Sequence, residues 1–122
     1  MRRLSRAFAY AWQGLVYTWQ TQPNFRVETA IGLLALLLAA WLQVSPVPVL
    51  LLILIVLSLE LLNTAIEAVC DIASPEPHPL AKTAKDAAAA AVLLAAFISV
   101  VIGVIIFLPA LAEKLRAYGK IS

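Results

Sequence analysis

The stretch VPVLLLILIVLSLELLNTAIEAVCDI, residues 47–72, decides the fold. It carries no charge through Leu59 and then presents Glu60, Asn63, Glu67 and Asp71. A helix of roughly 25 residues crosses a bilayer with some tilt, so this segment reads as a membrane span that takes acids in with it. At about 100° per residue the four polar positions fall in one stripe about 80° wide. A rise of 1.5 Å per residue sets Glu60 about 10 Å deeper than Glu67 and about 16 Å below Asp71. An ionisable side chain inside a span costs several kcal/mol and normally faces protein or water with a function attached. Interhelical polar contacts, worth only about 1 kcal/mol each, would account for Asn63 alone. Acids that repel one another on a single face call for something cationic between them.

Prolines mark the limits of the neighbouring segments. Pro46 and Pro48 split the charge-free run 29–59, because each lacks a backbone donor and disfavours helix in the residue before it. A first span is therefore expected over residues 25–43 and a second over 47–72. Pro75, Pro77 and Pro79 make a short stiff loop, SPEPHP, and a third span follows over 80–108. Ahead of these, Leu4, Phe8, Ala11, Trp12, Leu15, Val16 and Trp19 recur at helical spacing, with Arg3, Arg6, Tyr10, Gln13 and Tyr17 on the opposing side. Residues 1–20 thus read as an amphipathic helix lying in the headgroup layer. The expected fold is an all-α membrane protein, one domain over 1–122, with a surface helix and three spans.

Composition agrees. Of 122 residues 63% are hydrophobic and 13% charged, against about half and about a quarter in soluble domains. That bias excludes an ordinary soluble globule, and it is the reverse of a disordered chain. One cysteine, Cys70, excludes an internal disulfide framework. A net charge of +2 with no basic run gives no reason to expect a nucleic-acid partner. Arg2, Arg3, Arg6 and Arg26 precede the first span and Lys82 and Lys85 open the third, whereas only Lys114, Arg116 and Lys120 fall on the opposite side. The positive-inside rule then places the N-terminus and the SPEPHP loop in the cytoplasm. Trp41 reads as an anchor at the outer interface, and the small residues 87–91 as a close-packing surface.

The charges converge on one level. Asp71 ends the second span, Lys82, Lys85 and Asp86 open the third, and Glu28 opens the first. There is no Walker loop and no clustered glycine to cradle phosphate, and a single His in a proline loop makes no Ser-His-Asp set. Carboxylates with Lys and Asp suit phosphoryl transfer, in which a metal clamps phosphates, Lys neutralises charge and a carboxylate takes the acceptor proton.

At these residues the chain resembles a known family. ELLNTAIEAVCD (residues 60–71), followed by HPLAKTAKDAAAAAVLL (residues 78–94), is similar to the small prokaryotic diacylglycerol kinases, including their undecaprenol kinase branch. Arg3 to Tyr10, Trp12, Gly14 and NFRVE (residues 24–28) extend the likeness over nearly the whole sequence. The resemblance implies a three-span kinase of the inner (plasma) membrane with an N-terminal surface helix. It also implies a homotrimer whose active sites are shared between neighbouring chains. It implies ATP as phosphate donor, Mg²⁺ as cofactor and a membrane lipid alcohol as acceptor. By the same resemblance Glu60 is the general base and Asn63 orients the acceptor, with Ala89 lining the lipid cleft near Asp86. Glu67 ligates the metal carried with ATP. Lys85 and Asp86 form the nucleotide pair, Glu76 and His78 reach the nucleotide from the loop, and Arg3 and Tyr10 touch it from the surface helix. Read without the family, Glu76 and His78 are equally exposed loop residues and Tyr10 an interfacial anchor.

One position departs from the family pattern. Its second metal-ligating Glu stands just ahead of the Asn-Phe-Arg string, where this chain has Gln22. An amide oxygen ligates a hard cation without bringing charge, so either the metal is held more weakly, with Gln22 still ligating, or Glu28 contributes instead. The wording HPLAKTAKD resembles the undecaprenol kinase branch, and Glu28 after the Arg resembles the diacylglycerol kinase branch. The alternative from a different class is a small proton-coupled transporter with Glu60 as its intramembrane carrier. A transporter has no use for the acids and Lys-Asp pair at the cytoplasmic edge. A purely structural subunit leaves the acid stripe without a cause.

Overall fold

The computed structural model describes residues 1–121, in four helices: α1 (Arg2–Thr21), α2 (Pro23–Leu42), α3 (Val47–Ala73) and α4 (Pro79–Ile121). Three of them, α2, α3 and α4, are long and apolar enough to cross a membrane. Few apolar side chains are buried, chiefly Phe25, Ala39, Leu42, Val49, Val56 and Val92, while most of the Leu and Ile side chains point outward. In a helix bundle solvated by lipid this is the expected distribution, because the hydrocarbon outside is as apolar as leucine.

The turns follow local chemistry. Between α1 and α2 only Gln22 leaves helical geometry, with φ −115° and ψ 98°, and Pro23 opens α2 where its missing N–H costs nothing. Arg26 reaches back to donate to the Trp19 carbonyl at 3.0 Å, satisfying one of the acceptors that a helix end leaves open. Trp19 and Phe25 meet edge-to-face with centroids 6.4 Å apart. At the other end of α2, Gln43 takes a left-handed conformation (φ 55°, ψ 37°) and closes the helix as a glycine ordinarily would. Pro46 and Pro48 then start α3. Ser74 ends α3, and after the proline loop the Leu80 N–H donates to His78 Nδ1 at 3.1 Å. His78 therefore caps α4, satisfying one of its first donors.

The fourth helix outruns its expected span. It continues past Leu108, through Pro109, to Ile121. Pro109 deletes only the bond to the Ile105 carbonyl, and proline is tolerated in spanning helices where neighbouring groups re-satisfy the backbone. The segment beyond it is also held from outside: Lys114 Nζ donates to the Trp41 carbonyl at 2.5 Å and lies 4.5 Å from the centroid of its ring. Both contacts favour the cation at a helix end.

Packing centres on α3. Helices α2 and α4 each lie along it and touch one another little, while α1 meets α2 and α3. Helices α2 and α3 approach closely at Gly32, where a Cβ would stand 2.8 Å from Ile53 Cγ1. The open space between α2 and α4 is an apolar cavity beside Glu28.

Candidate functional site

The acid stripe of α3 is graded in exposure. Glu60, Asn63 and Thr64 are buried, Glu67 is half-buried and Asp71 is exposed. Glu60, at 3% exposure, is the most deeply buried charged side chain in the bundle. Thr64 Oγ1 donates to the Glu60 carbonyl at 2.9 Å, so it ties up backbone and leaves the Glu60 carboxyl for other work. Asn63 Nδ2 donates to Glu67 Oε1 at 3.3 Å, which joins two members of the stripe one turn apart. Opposite them on α2, Glu28 feels the charge of Glu60, and Glu60 in turn feels that of Glu67. Three carboxylates from two helices thus form one electrostatic chain.

Among the described residues two buried acceptors here have no partner, Glu28 Oε2 and Asn63 Oδ1. An unsatisfied buried acceptor costs about 1–3 kcal/mol, and more when charged. A group that supplies a proton or a positive charge removes that cost.

At the loop between α3 and α4 lies a cavity of about 710 Å³, lined by Asp71, Glu76, His78, Lys82 and Lys85 among others. Lys85 Nζ contacts Asp71 Oδ1 at 2.5 Å, joining α4 to α3, and Lys82 Nζ contacts Asp86 Oδ2 at 2.5 Å along α4. The structure therefore brings Glu76, His78 and Lys85 to one cavity. Lys85 and Asp86 are not partners of each other; adjacent positions on a helix point about 100° apart, and each finds an opposite charge on its own side. Arg3, Tyr10, Gln22, Asp86 and Ala89 line neither this cavity nor the apolar one beneath Glu28. Arg3, Tyr10 and Ala89 are exposed. Gln22 is half-buried in the α1–α2 corner, where its N–H donates to the Thr18 carbonyl at 2.8 Å.

The donor chemistry bears on a metal. Among the described residues no three His, Cys, Asp or Glu side chains gather as a metal cage. Mg²⁺ does not require one, since it keeps waters and is usually bound through one or two carboxylates plus substrate phosphates. Glu67 and the unpartnered Asn63 Oδ1 beside it are hard donors of the right kind. Sequence reasoning had left Asp71 without a role and Glu28 as an alternative ligand. The Asp71–Lys85 pair spans 14 positions and has no local signature, and the burial of Glu28 depends on how α2 is rotated against α3.

The fold and site define an integral membrane protein that buries carboxylates beneath a charged rim at one end of its bundle. The chain matches the family model for prokaryotic diacylglycerol kinase over residues 9–107. It is 45% identical over 109 residues to a diacylglycerol kinase of Synechocystis sp., an alignment covering 86% of this chain and 62% of that relative. It is 40% identical over 114 residues to the undecaprenol kinase of Bacillus subtilis, covering 91% of this chain and 93% of that one. With the diacylglycerol kinase of Escherichia coli it shares 41% identity over 102 residues, covering 81% and 84%. The chain thus spans less than two thirds of the Synechocystis relative and most of the other two. It belongs to the prokaryotic diacylglycerol kinase family, whose relatives here are named as lipid kinases.

Proposed function

We infer that this chain transfers the γ-phosphate of ATP to the hydroxyl of a membrane lipid alcohol, converting diacylglycerol to phosphatidic acid. The observation that carries the reading is the buried Glu60, set among Asn63, Glu67 and Glu28. In the proposed step the Glu60 carboxylate takes the proton of the lipid hydroxyl. The freed oxygen bonds to the γ-phosphorus as the bond to the β–γ bridging oxygen breaks, and ADP departs. Asn63 orients the acceptor, and Ala89 borders the path by which it enters. Lys85 meets the phosphates, with Asp86, Glu76 and His78 completing the nucleotide site and Arg3 and Tyr10 closing on it from α1. Bound Mg²⁺ supplies charge neutralisation and alignment of the phosphates. Glu67 would hold it, with Gln22 as the second oxygen.

In this reading α1 is an amphipathic helix in the headgroup layer; its exposed Leu4, Phe8, Trp12 and Trp19 support that placement. The chain works as a homotrimer in the inner (plasma) membrane, with its N-terminus and its site on the cytoplasmic side. The lysines and arginines ahead of α2 and at the start of α4 support that orientation. Undecaprenol is the alternative acceptor, favoured by the near full-length match to the Bacillus subtilis relative. The proton-coupled transporter finds no support among relatives named as kinases.

The test is transfer of labelled γ-phosphate to diacylglycerol and to undecaprenol in one detergent preparation, with the trimer followed by cross-linking. Glu60→Gln is expected to lower transfer by about 10²–10⁴-fold with the assembly unchanged. Retained transfer would overturn the assignment of Glu60 as the base.

A further inference from the structure

The cavity at the α3–α4 loop holds a cation that the proposed reaction leaves unused, Lys82. At about 710 Å³ the cavity falls within the range of about 300–1,000 Å³ found for small-molecule sites. Among the described residues its wall carries Asp71 and Glu76 as acids and Lys82 and Lys85 as cations. His78 adds no charge: its Nδ1 accepts the Leu80 N–H at 3.1 Å, and an accepting nitrogen belongs to the neutral ring. Lys85 is held at 2.5 Å by Asp71 from α3, so its charge is already offset within the wall. Without Lys82 the wall would keep two carboxylates against one ammonium. Such a wall repels a nucleoside triphosphate, which stays anionic even with Mg²⁺ bound.

Position and pairing both suit Lys82 to that need. Lys82 and Lys85 line the cavity together, about 60° apart around α4, with Lys82 about 4.5 Å nearer the loop. Lys82 therefore stands outward of Lys85, on the side away from Glu60, where the phosphates farther from the transferred group would lie. Its present partner, Asp86, sits on the same helix and does not line the cavity. The two side chains are 78% and 63% exposed, and an exposed ion pair one turn apart is weak. Lys82 can thus exchange Asp86 for a phosphate oxygen at little cost. We propose that Lys82 is a second phosphate-binding residue of the nucleotide site, meeting the α- and β-phosphates outward of Lys85 and leaving Asp86 to do so. The inference rests on the lipid-kinase reading and adds to it a cation and the part of the nucleotide which that cation holds. Those phosphates are common to ATP and ADP, so Lys82 tightens substrate and product alike and acts on KM, not on the transfer step.

The experiment compares wild type, Lys82→Gln and Lys82→Arg as full chains in detergent. It measures kcat, the KM for MgATP and the KM for the lipid alcohol, diacylglycerol or undecaprenol, and the Kd of MgADP by titration calorimetry. Lys82→Gln is expected to raise the KM for MgATP and the Kd of MgADP by the same factor, about tenfold, the loss of one charge-assisted hydrogen bond at an exposed site. The kcat and the KM for lipid should move by less than about twofold. Lys82→Arg keeps the cation and should bring MgADP binding back to within about threefold of wild type. Unchanged MgADP binding in Lys82→Gln would overturn the assignment while leaving the kinase reading intact. So would equal losses for nucleotide and lipid, or a loss that arginine does not restore. A wild type that binds no MgADP and phosphorylates neither lipid would overturn the kinase reading and this inference together.

Discussion

Gly32 offers a sharp test of how α2 and α3 are seated. In Gly32→Ala the new Cβ would lie 2.8 Å from Ile53 Cγ1 and 3.0 Å from Ile53 Cδ1. Carbon atoms pack at about 3.5–4.0 Å, so the shortfall at Cγ1 is about 0.7–1.2 Å. Ile53 cannot step aside cheaply, since a β-branched residue in a helix has one strongly preferred χ1 rotamer. The helices must then separate, and overpacking of this kind costs about 1–3 kcal/mol. Against it stands the helix propensity of Ala over Gly, about 1 kcal/mol in its favour. The net expectation is a destabilisation of about 0–2 kcal/mol, and its cause shows in a double-mutant cycle. Ile53→Ala alone should cost about 2–5 kcal/mol. In its presence the Gly32→Ala methyl enters vacated space, so the two changes together should cost at least about 1 kcal/mol less than their sum. The assay is loss of helical circular dichroism as SDS is titrated into mixed micelles of each variant. Additive effects, with Gly32→Ala stabilising by the full propensity term, would refute the close approach.

Three further expectations concern the corners and the metal. Gln43→Gly should stabilise the chain by about 1 kcal/mol in the same titration, because an L-residue in the left-handed region carries about 1–2 kcal/mol of steric cost that glycine lacks. Equal stability would mean that the φ of 55° at this position is relaxed on its own. Arg26→Ala removes the bond to the Trp19 carbonyl, worth about 1 kcal/mol. Amide exchange in the last turn of α1 should rise, and unaltered exchange there would discount that tie. Gln22→Glu should lower the Mg²⁺ concentration that half-saturates ATP turnover, since a carboxylate adds charge to a hard-cation ligand; an unchanged magnesium dependence would tell against Gln22 as ligand.

Much of this architecture was legible because its signals are local. Pro46, Pro48 and the SPEPHP prolines stop helices by covalent geometry, and the gaps on either side of α3 fall at those residues. The stripe of Glu60, Asn63 and Glu67 follows from helical periodicity alone, and the Asn63–Glu67 hydrogen bond is its direct expression. Pro109 misled for the converse reason. Its effect depends on what lies outside the helix, and the docking of Lys114 on Trp41 is a contact across 73 positions. The same holds for Glu28, half-buried beside the apolar cavity that α2, α3 and α4 line, a position that no pattern within α2 announces. The cap by His78 does have a local signal, since a side-chain acceptor immediately before Pro79 stands where a helix cap belongs.

The clasp of Lys114 on Trp41 has a mechanical side. Helices α2 and α4 flank the apolar cavity with little contact between them, yet this clasp ties them together at the end of α2 remote from Glu28. At the other end Lys85 ties α4 to Asp71 of α3. The pair is built like tweezers joined at the base. Any parting of the arms is then smallest beside Trp41 and largest toward Glu28.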